Sequence, residues 1–124
     1  MRRQEHDEQV ALFKWAGHLA SRYPELGLLF AIPNGGKRDK LIAVQMQREG
    51  VKPGVPDVCL PVPRRGWHGL FIELKYGANK PTDYQLEWLE RLAEQGYLAV
   101  VCYGWVEATE VIQDYLDIKD FGGA

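Results

Sequence analysis

Two acidic residues and a lysine give this chain its clearest chemical pattern. Asp57 closes the run Gly54-Val55-Pro56-Asp57, and Glu73 and Lys75 close the apolar stretch Phe71-Ile72-Glu73-Leu74-Lys75. Hard cations such as Mg²⁺ take oxygen ligands and keep several waters, so one or two carboxylates and a substrate phosphate are enough to hold them. Asp57 and Glu73 are therefore candidate metal ligands, in a pattern that favours phosphodiester hydrolysis.

The alternation of a β-strand predicts that Glu73 and Lys75 are neighbours on one surface. Successive side chains of a strand point to opposite faces, so Leu70, Ile72 and Leu74 should share the other face. The carbonyl of Leu74 is a further candidate ligand, since hard cations accept main-chain oxygens. Lys75 would orient or deprotonate the attacking water, or neutralise charge on the phosphate. Taken alone, a Glu-x-Lys strand end is also typical of a solvated face.

The segment between the two acids is predicted to be a β-hairpin. Apolar runs at 58–62 and 69–74 flank the turn-forming segment Pro63-Arg64-Arg65-Gly66. A hairpin of this length would return Glu73 to the neighbourhood of Asp57.

Composition indicates one ordinary globular domain over residues 1–124. The chain has 46% hydrophobic residues, a formal net charge of −2 and only local clusters of Lys and Arg. This balance argues against a protein that coats nucleic acid non-specifically. No apolar run reaches the roughly 18 residues needed to cross a membrane, and the polar start lacks the features of a secretory signal. We expect a soluble, intracellular, cytoplasmic protein. Cys59 and Cys102 lie in apolar runs, typical of buried thiols.

Hydrophobic periodicity and turn signals predict the remaining elements. We expect helices at 5–21, 38–49, 82–95 and 105–116, strands at 28–32 and 97–103, and a loose tail at 120–124. The strand at 97–103 is nearly all apolar, which favours coverage on both faces. The predicted fold class is α/β, with a central mixed β-sheet flanked by helices.

At its acidic motif the chain resembles the PD-(D/E)xK nuclease superfamily, and more narrowly a stand-alone VRR-NUC domain. The resemblance rests on Pro56-Asp57 and Glu73-Leu74-Lys75, and extends from the early Glu-rich helix through Ile32-Pro33-Asn34-Gly35-Gly36 to Gln85. It implies a restriction-endonuclease-like core and an endonuclease dependent on Mg²⁺ or Mn²⁺. Asp57 and Glu73 would be its metal ligands and Lys75 its catalytic lysine.

The resemblance also implies a role for a glutamine and for an acid of the first helix. Gln85 would help to shape the site, although it is three positions after Thr82 and fits a capping box equally well. We expect these two roles to compete. Glu5 and Glu8 are both available as the helix acid and we favour Glu8, the alternative being a solvated helix start where acids suit the dipole.

The turn Asn34-Gly35-Gly36-Lys37-Arg38 is a candidate DNA contact. Its backbone N–H groups and two cations could bind phosphate, whereas a plain turn before the second helix is the alternative. The resemblance favours DNA contact.

The leading functional hypothesis is a structure-selective endonuclease acting on branched DNA such as Holliday junctions. The family resemblance implies a homodimer, for which Tyr103, Trp105, Val106 and Ile112 are either interface or core residues. Flap-directed or nick-directed cleavage is the next hypothesis. A non-catalytic DNA-binding or assembly module on the same fold is the rival, although such a module gains nothing from paired carboxylates facing phosphate.

Overall fold

The computed structural model describes residues 3–33 and 40–119. In chain order its elements are α1 (Arg3–Leu19), a 3₁₀ turn (Pro24–Leu28), β1 (Phe30–Ala31), α2 (Lys40–Arg48), β2 (Val58–Leu60), β3 (Leu70–Lys75), α3 (Asp83–Glu94), β4 (Leu98–Tyr103) and α4 (Trp105–Leu116). Within these ranges no helix is long and apolar enough to cross a membrane.

The described strands form a mixed sheet in the order β1-β2-β3-β4. β2 pairs antiparallel with β1 and β3, and β3 pairs parallel with β4. Helices flank this sheet, so the predicted α/β class is confirmed.

A two-residue turn closes the predicted hairpin between β2 and β3. Arg64 and Trp67 exchange backbone hydrogen bonds of 3.1 and 2.7 Å, and Arg65 and Gly66 between them have φ of 53° and 85°. Positive φ at both central residues matches the right-handed twist of the flanking strands. The turn reverses the chain, and one extra residue on the β2 side, at 61–63 against 68–69, separates its pairing from that of β2 with β3.

One face of β3 packs into the main hydrophobic core. Leu70, Ile72 and Leu74 are fully buried there, together with Leu12 of α1 and Ile112 of α4. Helices α1 and α4 contact each other and β3 on this side. The opposite face of β3 carries Glu73 and Lys75.

Three predicted elements differ from the structure. The strand expected at 28–32 is only Phe30–Ala31, because the chain from Pro24 makes a 3₁₀ turn that ends at Leu28. Of the helix expected at 38–49, the structure describes the part from residue 40, where the helix is Lys40–Arg48 and ends one residue early; none of these residues is buried. The strand expected at 97–103 is Leu98–Tyr103; it is at the edge of the described sheet, its residues 98–101 are half-buried, and both α3 and α4 contact it.

Candidate active site

The register of the hairpin places Asp57 and Glu73 opposite each other. Val58 pairs with Ile72, so the next residue along each strand brings Asp57 level with Glu73. The N–H of Leu74 donates a 2.7 Å hydrogen bond to Asp57 Oδ2, and the two carboxyl groups lie close enough to share a hydrogen bond. The structure thus brings together the acids that the sequence separates by sixteen positions.

Both acids and the lysine are buried, which changes their ionisation. Asp57, Glu73 and Lys75 are 6%, 2% and 6% exposed. Burial raises the pKa of Asp57, and burial together with the neighbouring Asp57 raises the pKa of Glu73 to about 9. Two neighbouring carboxyl groups that are buried from solvent do not both ionise readily unless a positive charge lies close to them.

Lys75 supplies a positive charge at one side of the pair. Its Nζ lies 3.7 Å from Glu73 Oε2, and its charge lowers the pKa of both acids less than burial raises them. The three side chains form one compact group.

The carbonyl of Leu74 lies on the edge of β3 that faces Asp57. In an extended strand the N–H and C=O of one residue point toward the same neighbour, and the N–H of Leu74 bonds Asp57. The carbonyl of Leu74 is consequently directed to the same side of β3 as Asp57.

Gln85 performs both of the roles that we expected to compete. Its Oε1 accepts a 2.8 Å hydrogen bond from the Thr82 N–H while its own N–H donates to Thr82 Oγ1 at 3.2 Å, which completes a capping box at the start of α3. Its Nε2 donates to Glu73 Oε2 at 3.1 Å. An amide has separate donor and acceptor ends, so one side chain can cap the helix and hold the acid.

The structure reverses our preference between the two acids of α1. Glu5 is buried at the site: it raises the pKa of Asp57 and Glu73, and its Oε2 accepts a 2.9 Å hydrogen bond from Asn79 Nδ2. Glu8 does not line the cleft, and its Oε1 instead accepts a 2.9 Å hydrogen bond from the N–H of Trp105, at the start of α4. Glu8 therefore joins two helices, whereas Glu5 is the third acid of the site.

The acids open into a cleft of about 620 Å³ between α1, α3 and the segment before β2. Glu5 and Gln9, one helical turn apart, line one wall, and Gln85 lines the wall formed by α3. Sequence reasoning did not identify Gln9 or Asn79 as site residues. The spacing of Gln9 from Glu5 was a usable signal, whereas the contact of Asn79 with Glu5 spans 74 positions and had none.

One oxygen at the centre of the site lacks an N–H donor among the described residues. Glu73 Oε1 is buried and accepts no hydrogen bond from an N–H or O–H donor of another described residue unless a proton is shared with Asp57, and Gln9 Oε1 also lacks a donor. Within residues 3–33 and 40–119 no three His, Cys, Asp or Glu side chains converge as a complete metal cage. Two carboxylates and a main-chain carbonyl are nevertheless the donor set of an open magnesium site, where water and substrate complete the shell.

The predicted DNA contact at Asn34, Gly35, Gly36, Lys37 and Arg38 lies outside the residues that the structure describes. Pro33, just before it, lines the cleft.

Comparisons with known proteins agree on one family. The model of the VRR-NUC domain matches residues 5–105. A solved structure titled "VRR_NUC domain protein" is similar over 97% of this chain and 93% of its own, with 30% sequence identity and a TM-score of 0.77. The comparison with curated proteins gave no match.

Proposed function

Because the chain belongs to the VRR-NUC family of nuclease-type domains, we propose that it is a metal-dependent endodeoxyribonuclease selective for branched DNA. The observation that supports hydrolysis best is the buried pair of Asp57 and Glu73, with one carboxylate oxygen left without an N–H donor in the described part of the chain. Burial raises the pKa of both acids, and neighbouring buried acids of this kind are typical of sites that bind a cation or carry out chemistry.

Asp57, Glu73 and the Leu74 carbonyl would hold Mg²⁺ or Mn²⁺. When bound, the cation would supply Lewis acidity to the scissile phosphate and promote deprotonation of the attacking water. Gln85 keeps the Glu73 carboxylate in place through its 3.1 Å hydrogen bond. Glu5, held by Asn79, adds a third carboxylate at the wall of the cleft, in the role that we first gave to Glu8.

Lys75 is the side chain that we propose acts on water or phosphate, from a position behind the cleft lining and beside Glu73. Its ammonium is beside Glu73 and almost fully buried, so its interaction with an incoming phosphate oxygen would be little screened by solvent. It orients the attacking water or neutralises charge that develops on the phosphate. In-line attack then needs only positioned charges and a positioned water.

The proposed substrate is a DNA junction, and the proposed active form is a homodimer. A domain of 124 residues offers little surface for reading a long sequence, so shape and backbone contacts should dominate. Two-fold symmetry would set two active sites on opposed strands of a Holliday junction. Of the candidate interface residues, Ile112 is buried in the core, whereas Tyr103 and Val106 are exposed.

The test is cleavage of a synthetic four-way junction with Mg²⁺, with Mn²⁺, with EDTA, and by the Lys75→Ala variant. We expect cutting by the wild type with either cation and none in the other two conditions. Parallel reactions on flap, nicked and plain duplex DNA rank the substrates, and faster cutting of a flap or nick would replace the junction proposal.

The rival function, a non-catalytic DNA-binding module, gives a different result in the same experiment. Such a module shifts the junction in a gel under every condition and cuts it under none. Sedimentation of the wild type and of Val106→Arg tests the homodimer, and a wild type that sediments as a monomer at all concentrations would refute it.

A further inference from the structure

A second groove, of about 680 Å³, lies beside the acidic cleft. The two share one wall, formed by Lys52, Pro53 and Tyr84. A nucleic-acid strand that leaves the cleft across this wall would enter the groove.

The shared wall is held tightly by a glycine. Gly54 has φ of +87°, and a Cβ added there would lie 2.7 Å from the backbone carbon of Tyr84. The segment before β2 thus rests directly on the first turn of α3, an approach that only glycine permits. The two sides of the wall are therefore fixed relative to each other.

One face of α3 runs along the groove from the shared wall. Tyr84, Trp88, Arg91 and Gln95 follow at helical spacing and all line the groove. Tyr84 is 64% exposed. In the part of the chain that the structure describes, Trp15, Trp67 and Trp105 pack against the hydrophobic core, whereas Trp88 does not and is half-buried on the groove. A tryptophan and a tyrosine on a groove wall offer flat surfaces suited to stacking.

Charge in the groove is balanced, unlike charge in the cleft. Lys52 and Arg91 face Glu87 and Glu94, and the Arg91–Glu87 pair is loose at 3.8 Å with both side chains mostly exposed. Such a pair contributes little and leaves the guanidinium able to reach a phosphate. Binding here would therefore depend mainly on stacking, with one or two phosphate contacts beside it.

We propose that this groove binds an unpaired nucleotide next to the scissile phosphate, with its base stacked on Trp88 and its backbone crossing the wall at Lys52. Aromatic surfaces with neighbouring cations are the common means of holding single-stranded nucleic acid. The inference rests on the proposed nuclease function and narrows it: the preferred substrates carry unpaired bases at the cut, as flaps and open junction centres do.

The test is a double-mutant cycle between protein and DNA, measured by fluorescence anisotropy. All proteins carry Lys75→Ala with Mg²⁺ present, so that binding is measured without cutting. The probes are a flap whose unpaired nucleotides carry bases and the same flap with abasic sites at those positions. Trp88→Ala should weaken binding of the base-bearing flap roughly tenfold and leave binding of the abasic flap unchanged.

Two further variants separate stacking from folding. Trp88→Phe keeps an aromatic face and should restore most of the difference between the two flaps. Arg91→Gln should lower the slope of log affinity against log salt by about 0.7, the value for one phosphate contact on a single strand, whereas Lys119→Gln, on an exposed residue after α4, should not change it.

Two other results of the Trp88→Ala measurement would overturn the proposed nucleotide site. If Trp88→Ala weakens both flaps equally, the tryptophan is structural and the inference is overturned. If it weakens neither, the groove serves another ligand, such as a protein, and the inference is again overturned. If the wild type cuts DNA but Trp88→Ala does not discriminate between the two flaps, only the proposed nucleotide site in the groove is refuted. If Trp88→Ala discriminates between the flaps but the wild type cuts no DNA, only the proposed nuclease activity is refuted.

Discussion

The two faces of β3 bury their residues equally well but for opposite reasons. Leu70, Ile72 and Leu74 are fully buried against α1 and α4, where removal from water stabilises the fold. Glu73 and Lys75 are almost as deeply buried on the other face, where loss of hydration costs free energy. The apolar face of the strand stabilises the fold. The acidic face lowers the stability of the fold but keeps charged groups in a fixed position.

This contrast shows how a small fold supports a reactive site. Packing of the apolar face fixes the position of β3, so the residues of the acidic face do not need to stabilise the strand. Hydrogen bonds from the Leu74 N–H and from Gln85 orient the two acids but do not offset the free energy lost when the acids are buried. We expect variants on the two faces to separate activity from stability.

The largest expected effect is on activity, from Glu73→Gln. This change keeps the size of the side chain but removes the charge proposed to hold the cation, so cleavage should fall at least about a hundredfold. Thermal unfolding should stay the same or shift upward, since a buried acid with a raised pKa is lost. Cleavage close to the wild-type rate would show that the acidic face is not catalytic.

Stability of the metal-free protein should fall as pH rises. Glu73 has a pKa of about 9 in the folded protein against an ordinary value of 4.5, so between these values unfolding releases a proton. The contribution of Glu73 is complete below 4.5 and is lost as pH rises through about 9, at up to about 1.4 kcal/mol per pH unit. Melting temperatures in EDTA from pH 5 to 9 measure this.

Two controls make the pH experiment specific. Glu73→Gln should flatten the profile, and Mg²⁺ should raise the melting temperature most at high pH, because the ionised acids bind it best. A wild-type profile no steeper than that of Glu73→Gln would contradict the raised pKa.

Ile72→Ala, on the apolar face, should lower stability and leave activity unchanged, which is the opposite of the effect expected from Glu73→Gln. Deleting this fully buried side chain should lower the free energy of unfolding by about 2 to 5 kcal/mol. Cleavage per folded molecule should not change at a temperature where the variant is folded. Denaturant unfolding and rate measurements on one preparation test this, and a lost rate with normal stability would show that the two faces are not separate.

Gly54→Ala should disturb the contact between the GVPD segment and α3. An added Cβ meets the backbone of Tyr84 at 2.7 Å and φ is +87°, so the change should cost about 1 to 3 kcal/mol and also slow cleavage. Gly77→Ala is the matched control, because its φ is +62° and no atom lies within 4 Å. Equal effects of the two variants on cleavage would mean that the close contact has no part in forming the site.

The smallest effects should separate the two acids of α1. Glu5→Gln should slow cleavage roughly 10- to 100-fold, as expected for a carboxylate that supports the metal ligands. Glu8→Gln should instead lower stability by about 1 kcal/mol, because it weakens the acceptor at the start of α4. Rates and unfolding curves of both variants decide this, and a larger rate loss for Glu8→Gln would restore our original preference.

Local signals were sufficient for much of the fold. Thr82 and Gly96 set the ends of α3, and the alternation of 70–75 separated apolar from charged side chains as the structure has it. The hairpin followed from the turn-forming segment Pro63-Arg64-Arg65-Gly66, in which Gly66 readily adopts the positive φ that the turn requires, whereas the positive φ of Arg65 was not indicated by its residue type. These features depend on neighbours in sequence, which is why sequence reasoning found them.

The amino-acid sequence by itself indicated that Glu73 and Lys75 share one face of β3 and that a hairpin returns them to the neighbourhood of Asp57, because strand side chains alternate and the segment between them contains a turn. The tertiary structure decided the exact register, since the pairing at the turn and the pairing of β2 with β3 differ by one residue. Only the tertiary structure decided which acid of α1 joins the site, since Glu5 and Glu8 are less than one helical turn apart and the rotation of α1 against α4 selects between them. It also decided that β4 is an edge strand and that Gln85 reaches Glu73 while capping its helix. Strand order and contacts between distant residues arise from how faces pack together, and no local pattern encodes that choice.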